Sequence, residues 1–491
     1  MAVKKYFANA DNTITNAFRE NLQTRGTGAN MGASDILEVF SIYGQASSGS
    51  TELERILINF PIDEISQDRT SEIIPQSGAV NFYLNMYNAR HNQTTPRNST
   101  LVVAPVSQSW QEGTGLDMEE YRDVTNNGIG SNWVNAGKST PWTREGGDYL
   151  TSPNYSQEFP IGTENLRIDI TNLVENWIDG TIDNYGVGVR LTSSLEAYFS
   201  NSAGTDQNSQ LFNPEGAKDT YYTKKFFGKG SEFFFKKPSI EAIWNSSKKD
   251  DRGNFYASSS LLPPEDNIRT LFLYNSIGGR LRNIPEVGTG TLKVKIYTDS
   301  TSGTQIGSTI VGGYVSKGIY TASFSLDTTA SIAYDRWYNN TLTDQYYVGE
   351  FGIKDHKASA FNPYPNLVTN LTNLRSTYYT HETNRFRFYV REKDWSPTIY
   401  TVATKHSDTL IMESASYQIH RITDDLVVLP FSTGSNMGTE MSFDVSGNYF
   451  DFKMDFLEPG YSYGIRLAYY DETVNSYVEQ PYTWKFRVED V

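Results

Sequence analysis

The sequence predicts an all-β protein of consecutive sandwiches, and three observations carry that prediction. Aromatic side chains are abundant, with 33 Tyr and 26 Phe among 491 residues, and large rings are well suited to covering pleated sheet surfaces. Apolar and polar residues alternate with period two in segment after segment, whereas helical spacing is confined to short stretches. Clusters of Gly, Asn, Asp and Ser separate these segments at turn-like intervals. A chain of this length exceeds one hydrophobic core and suggests about two to four domains.

The stretch Leu166 to Leu191 organises the first half. Leu166, Ile168 and Ile170 alternate with Arg167, Asp169 and Thr171, the pattern of a half-buried strand. Thr171 or Asn172 can then cap a helix, and with Asn172 as cap Glu175 reaches back from the third helical position. Leu173, Val174, Trp177 and Ile178 share one helical face, Gly180 ends the helix, and Val187, Val189 and Leu191 resume the strand pattern. A lone helix of this kind packs its Trp177 on a sheet, as a plug at one end of a sandwich.

Ahead of this stretch, strands are expected at Ile36–Phe40, at Glu54–Phe60 with Pro61 as the stop, at Val80–Met86 and at Leu101–Val106. The segment from Gln108 to Pro160 is long and polar and carries Trp110, Trp133 and Trp142. Such loops are functional or folded back onto the domain. The three rings are either stacking platforms for a sugar or pins that hold the loop on the sandwich.

Several of these segments carry a resemblance. The segments Asp11-Asn12-Thr13-Ile14, Asn30-Met31-Gly32, Arg55-Ile56-Leu57-Ile58-Asn59-Phe60, Val106 to Gly113, Asp169-Ile170-Thr171 with Val174 and Trp177, and Asn184-Tyr185-Gly186-Val187 follow one another in order. In this the first half resembles the DNRLRE-type (disaggregatase-related) domain, a jelly-roll β-sandwich related to carbohydrate-binding modules. The resemblance implies structural roles for Arg55, Asp169 and Trp177, and covers roughly half the chain. It departs from the pattern in a long insert after Phe199-Ser200 and in the aromatic ending Phe226 to Phe235. Jelly rolls of this type often hold calcium, for which Asp117, Glu119 or Glu120 could supply oxygens, but no D-x-D-x-D-G loop is present and no metal is assigned.

The polar run Ser246 to Asn254 marks the next boundary. Beyond it, strands are expected at Thr270–Asn275, Gly290–Tyr297, Gly318–Phe324 and Gln345–Phe351, at the spacing of an immunoglobulin-like domain. A further break near Asp355 to Pro365 precedes strands at Arg385–Arg391, Ser416–Ile422, Phe450–Phe456, Tyr461–Leu467 and Thr483–Val488. The domains are therefore read as 1–247, a jelly roll, then 248–357 and 358–491, two immunoglobulin-like β-sandwiches.

Composition narrows function. With 57 acidic against 42 basic residues the net charge is -15, which repels a phosphate backbone and disfavours nucleic acid. No cysteine is present, so disulfides and thiolate metal sites are excluded. The N-terminus lacks an apolar signal region and the longest apolar runs are far short of a membrane span, so neither ordinary secretion nor a membrane is expected. His91, His356, His381, His406 and His420 are scattered without ligand spacing. No nucleophile elbow or phosphate loop occurs, and the adjacent acids Glu119-Glu120, Asp250-Asp251 and Asp424-Asp425 would point to opposite faces of a strand or into water. No catalytic residue, cofactor or metal is assigned. Together with the resemblance, this implies a structural protein of a tailed-bacteriophage virion, of the sort found in T4-like phages of marine cyanobacteria. Such a protein would be made in the host cytoplasm, released by lysis, and in contact with other virion proteins in several symmetric copies. The alternative is a carbohydrate-binding adhesin or receptor-binding protein whose partner is a host surface polysaccharide. The expected contact elements are the arm Ala2 to Glu20 and the insert Asn201 to Lys225.

Overall fold

A computed structural model describes residues 2–19, 24–45, 50–90, 97–116, 129–193, 195–196, 221–356, 366–394, 409–434 and 437–490. The protein is all-β, with two short α-helices among these residues. The chain divides into two compact units, Val3–Trp244 and Asn245–Val491. Among the described residues no helix is long and apolar enough to cross a membrane.

The first unit is a two-sheet sandwich. Its strands are β1 Val3–Phe7, β2 Ala10–Thr15, β3 Ile36–Gln45, β4 Ser50–Asn59, β5 Asn81–Met86, β6 Ser99–Pro105, the small hairpin β7 Asn135–Gly137 and β8 Thr140–Pro141, β9 Tyr155–Phe159, β10 Leu166–Asp169, β11 Val187–Leu191, β12 Tyr221–Phe227 and β13 Ser239–Ile243. One sheet runs β1-β13-β5-β10 and the other β12-β3-β4-β11-β6-β9, with β2 beside β4. The core between them takes alternate residues, as the period-two pattern requires: Phe82, Leu84 and Met86 from β5, Ile56 and Ile58 from β4, Val187 and Val189 from β11.

The stretch predicted to reach from Ala2 to Glu20 as an arm is instead β1 and β2, paired with β13 and β4. Its residues read as polar because Asp11, Asn12 and Thr13 are buried and hydrogen-bonded, not because they are in water. The last residues of the predicted insert, Tyr221 to Lys225, belong to β12 on β3; Leu211 and Phe212 lie outside the described residues.

Helix α2 (Thr171–Ile178) forms where the spacing predicts, and Gly180 leaves it at φ +78°. Its cap differs. The Asp169 carboxylate accepts the Thr171 N–H at 2.9 Å and its hydroxyl at 2.6 Å, and the Thr171 hydroxyl oxygen accepts the Phe82 N–H at 2.9 Å. Glu175 does not reach back, because a second helix, α1 (Ile62–Thr70), packs beside α2 and its Arg69 holds Glu175 in a bidentate pair at 2.6 and 2.7 Å. The plug is thus a helix pair, not a lone helix. Pro61 followed by Asp63 and Glu64 is the signal for α1, a proline and acids in the first turn.

The second unit holds two further sandwiches. The first has β14 Phe255–Tyr256, β15 Arg269–Tyr274, the hairpin β16 Ser276–Ile277 and β17 Arg280–Leu281, β18 Leu292–Tyr297, β19 Gln305–Ser316, β20 Ile319–Phe324, β21 Ile332–Tyr338 and β22 Gln345–Lys354. Its order is β14-β22-β21-β18-β19-β20-β15, with β14 parallel to β22. β19 pairs with β18 through Gly312 and with β20 from Gly313 onward, so one bent strand joins the two layers. The sequence reading missed β19 and β21. Gly307, Gly312 and Gly313 interrupt the alternation of the first, and β21 carries charged residues, Asp335 and Arg336, that are buried.

The second of these sandwiches has β23 Leu367–Leu371, β24 Thr377–Tyr379, β25 Thr383–Glu392, β26 Ala415–Arg421, β27 Val427–Leu429, β28 Ser442–Asp444, β29 Gly447–Lys453, β30 Ser462–Asp471, β31 Ser476–Glu479 and β32 Trp484–Glu489. Its sheets, β23-β25-β29-β28 and β24-β32-β30-β26-β27, follow the immunoglobulin order. Tyr463, near the start of β30, donates its hydroxyl to the Glu458 carbonyl at 2.7 Å, the tyrosine corner of that fold. Tyr417 stacks on Phe450 across the layers with ring centroids 3.8 Å apart.

The run Ser246 to Asn254 is not a solvated linker. The Phe443 N–H donates to the Lys248 carbonyl at 3.0 Å and the Asp250 N–H to the Phe443 carbonyl at 3.1 Å, so the segment adds alongside β28. Asp250 and Asp251, expected on opposite faces of a strand or in water, are 4% and 7% exposed. The Asp250 carboxylate accepts the Arg252 N–H and that of Asp251 accepts the Thr270 N–H, at 3.2 and 2.6 Å. A polar sequence cannot by itself distinguish hydration from this kind of buried bonding.

Burial pushes the carboxyls of Asp250 and Asp251 from the ordinary 3.8 up to about 6. Both folded values lie above the unfolded ones, so the contribution of the bound protons is complete below the unfolded pKa and is lost as pH rises through about 6. His420, held below its ordinary value by burial, acts in the opposite sense. Denaturant titrations of the wild type and the Asp250→Asn, Asp251→Asn variant at about pH 5 and about pH 7.5 isolate the effect. The double variant is expected to be more stable relative to wild type at the higher pH than at the lower; an equal difference at both would refute the assignment.

Candidate functional site

The long loop after β6 folds back over the outer face of the larger sheet, and it does so through side chains that the sequence marked. Buried Asn12 donates to the carbonyl and hydroxyl of Ser131, both at 2.8 Å, while its own carbonyl oxygen accepts the Met31 N–H at 2.9 Å. Asn30 donates to the carbonyls of Glu112 and Ser131 at 2.9 and 2.7 Å and accepts the N–H groups of Gly32 and Gly115. Four segments of the chain thereby meet in one largely buried network, in which burial strengthens the bonds. Asn184 closes the far side, donating to the Phe60 carbonyl at 2.9 Å.

Under the loop lies a second apolar cluster of Ile14, Leu53, Leu57, Val106, Trp133, Ala136 and Trp142. Trp133 is 1% and Trp142 is 5% exposed, so neither ring has a face to offer a sugar, and both pin the loop. The Trp142 indole donates to the Asn132 carbonyl and that of Trp110 to the Tyr185 carbonyl, each at 2.8 Å; Trp110 is half-buried at the edge of the cluster. This explains why Ile56-Leu57-Ile58 is apolar without a break: β4 is buried on both faces. Gly188 of β11 is required by the same packing, since a Cβ there would lie 2.0 Å from the Tyr149 ring.

Arg55 projects from β4 into this layer. It pairs bidentately with Glu196 at 2.9 and 2.7 Å, donates to the Gly146 carbonyl at 2.8 Å, and lies 5.2 Å from the Trp133 ring centroid. It ties the sheet, the loop and the segment after β11 together. With Asp169 capping α2 and Trp177 in the main core, the structural residues all have identified contacts.

Between the loop and the sheet runs an open groove of about 1270 Å³. Leu53, Arg55 and Arg190 form part of its floor, Tyr149 and the edge of Trp142 one wall, and Thr143, Arg144, Thr151, Asn154 and Ser193 its polar rim. The Asp148 carboxylate accepts the N–H groups of Thr143 and Arg144 at 2.7 and 2.9 Å. Burial raises the Glu145 carboxyl above its usual range. Arg190 stands apart: its Nε is buried without a hydrogen-bond partner, and its guanidinium lies 5.8 Å from the Tyr149 ring centroid. The sequence offered no sign of this groove, because Arg190 occupies an ordinary polar position in an alternating strand.

Among the described residues no group of three or more metal-ligating side chains occurs. Asp117, Glu119 and Glu120, and likewise His91 and His406, lie outside them. His356, His381 and His420 fall at separate places in the second unit.

No protein-family model matches the chain, and no curated protein matches it. Among solved structures it is similar to the Yersinia pseudotuberculosis adhesin InvE, with 12% identity over 48% of this chain and 56% of that one and a TM-score of 0.15. The match spans little more than half the length of the adhesin structure, and at that score the likeness carries no argument about function.

Proposed function

We propose that the chain is a non-enzymatic structural protein of a tailed-bacteriophage virion, working through contacts with other virion proteins in several symmetric copies. The observation that supports this most is the segment Ser246 to Asn254, bonded through its main chain to β28 instead of hanging free. Its Arg252 also holds Asp335 bidentately at 2.5 and 2.8 Å. Joints fixed in this way hold neighbouring surfaces in register, which repeated contacts in an assembly require. The DNRLRE-type resemblance supplies the kind of particle, and the acidic composition speaks against a nucleic-acid partner. Quantitative mass spectrometry of density-purified particles tests it: the chain is expected at a constant number of copies per particle, and its recovery only in the unassembled fraction would overturn the proposal.

The groove on the first sandwich favours a second reading, a carbohydrate-binding adhesin or receptor-binding protein whose partner is a host surface polysaccharide. Hydroxyl and amide groups on its rim beside one half-buried ring suit a hydroxyl-rich ligand.

A further inference from the structure

We propose that the groove over β4 and β11 binds an acidic saccharide, with the Arg190 guanidinium receiving its carboxylate; this rests on the glycan-binding reading above. Arg55 is neutralised by Glu196 in a bidentate pair, and Asp148 is held by two backbone N–H groups. Glu145 also lines the groove, and burial raises its carboxyl. That leaves Arg190, with no ion pair or side-chain hydrogen bond among the described residues and a buried Nε without a partner. A buried guanidinium donor left unpaired is costly, and the planar fork of Arg matches a carboxylate with two parallel bonds.

The rest of the groove selects what carries the carboxylate. Its volume of about 1270 Å³ exceeds the roughly 300–1,000 Å³ of pockets that enclose one small ligand, so it takes a chain of rings. Thr143, Thr151, Asn154 and Ser193 present hydroxyl and amide groups to it, beside the aliphatic side chains of Leu53, Val134, Pro141 and Leu150. The net charge of -15 opposes an anion at long range, but screening confines that field to about 8 Å at physiological salt. Arg55, Arg144 and Arg190 line the groove together with Glu145, Asp148 and Glu196, and among the described residues Arg190 has no carboxylate partner.

The test is calorimetric titration of the full chain with oligosaccharides of galacturonate, glucuronate and sialate, each beside its methyl ester, and with neutral dextran. At least one acidic oligosaccharide is expected to bind, with its ester at least about tenfold weaker. Arg190→Gln is expected to lose about tenfold or more against that ligand, with Arg190→Lys intermediate and an unchanged thermal transition. Equal binding of acid and ester by the wild type overturns the proposal without reference to any variant. Binding of dextran as tight as that of the acids overturns it and leaves the glycan-binding reading standing; binding of none of these saccharides removes both.

Discussion

Replacing Trp177 with alanine is expected to destabilise the first unit by about 3–5 kcal/mol, the cost of removing a large aromatic from a site that cannot collapse. The ring is 5% exposed and sits in the main core with Leu173 and Val174 from its own helix. Collapse is resisted because the Asp169 carboxylate holds the start of α2 and the Arg69–Glu175 pair clamps its side to α1. Trp177→Phe is the informative companion. It keeps most of the ring contact and deletes a buried indole N–H that has no hydrogen-bond partner, so its cost is expected to be well below that of alanine. Chemical denaturation followed by aromatic circular dichroism measures both, and an alanine variant with an unshifted transition would show that the plug contributes nothing.

The second large effect belongs to Asp335. This carboxylate is fully buried, receives Arg252 through two bonds at 2.5 and 2.8 Å, and accepts the Trp337 indole N–H at 2.6 Å. Asp335→Ala strands a guanidinium in a dry site and is expected to cost about 3–5 kcal/mol. Much of that is the penalty of the orphaned charge, not the worth of the pair. Arg252→Met combined with Asp335→Leu is therefore expected to recover the part of the loss that comes from the orphaned guanidinium, while the buried Trp337 N–H still lacks its acceptor. A double variant as unstable as Asp335→Ala would assign the loss to packing around Trp337 instead.

Alternation made the strands legible. Leu292, Val294 and Ile296 fill one core in the order the pattern gives, and Leu166, Ile168 and Ile170 do so in another. Legibility failed where polar residues are inside. Asp11 and Asn12 read as part of an arm and Asp250 and Asp251 as part of a domain boundary, and the strand with Asp335 and Arg336 was missed, yet all six are buried. A buried, bonded polar side chain and a hydrated one have the same spelling. The candidate site suffered most from this, since its loop Trp residues stood out while Arg190 did not.

The all-β class, the strand periods and the α2 plug were determined by the sequence alone, because steric and hydrophobic periodicity act between residues that are near in the chain. Tertiary structure decided the rest. It buried Trp133 and Trp142 beneath the loop, brought Arg69 to Glu175 and Arg252 to Asp335, and left Arg190 unpaired over Tyr149. Each of these depends on which partner arrives from a distant part of the chain, and whether a charge is paired, orphaned or hydrated is a property of that meeting and not of the residue.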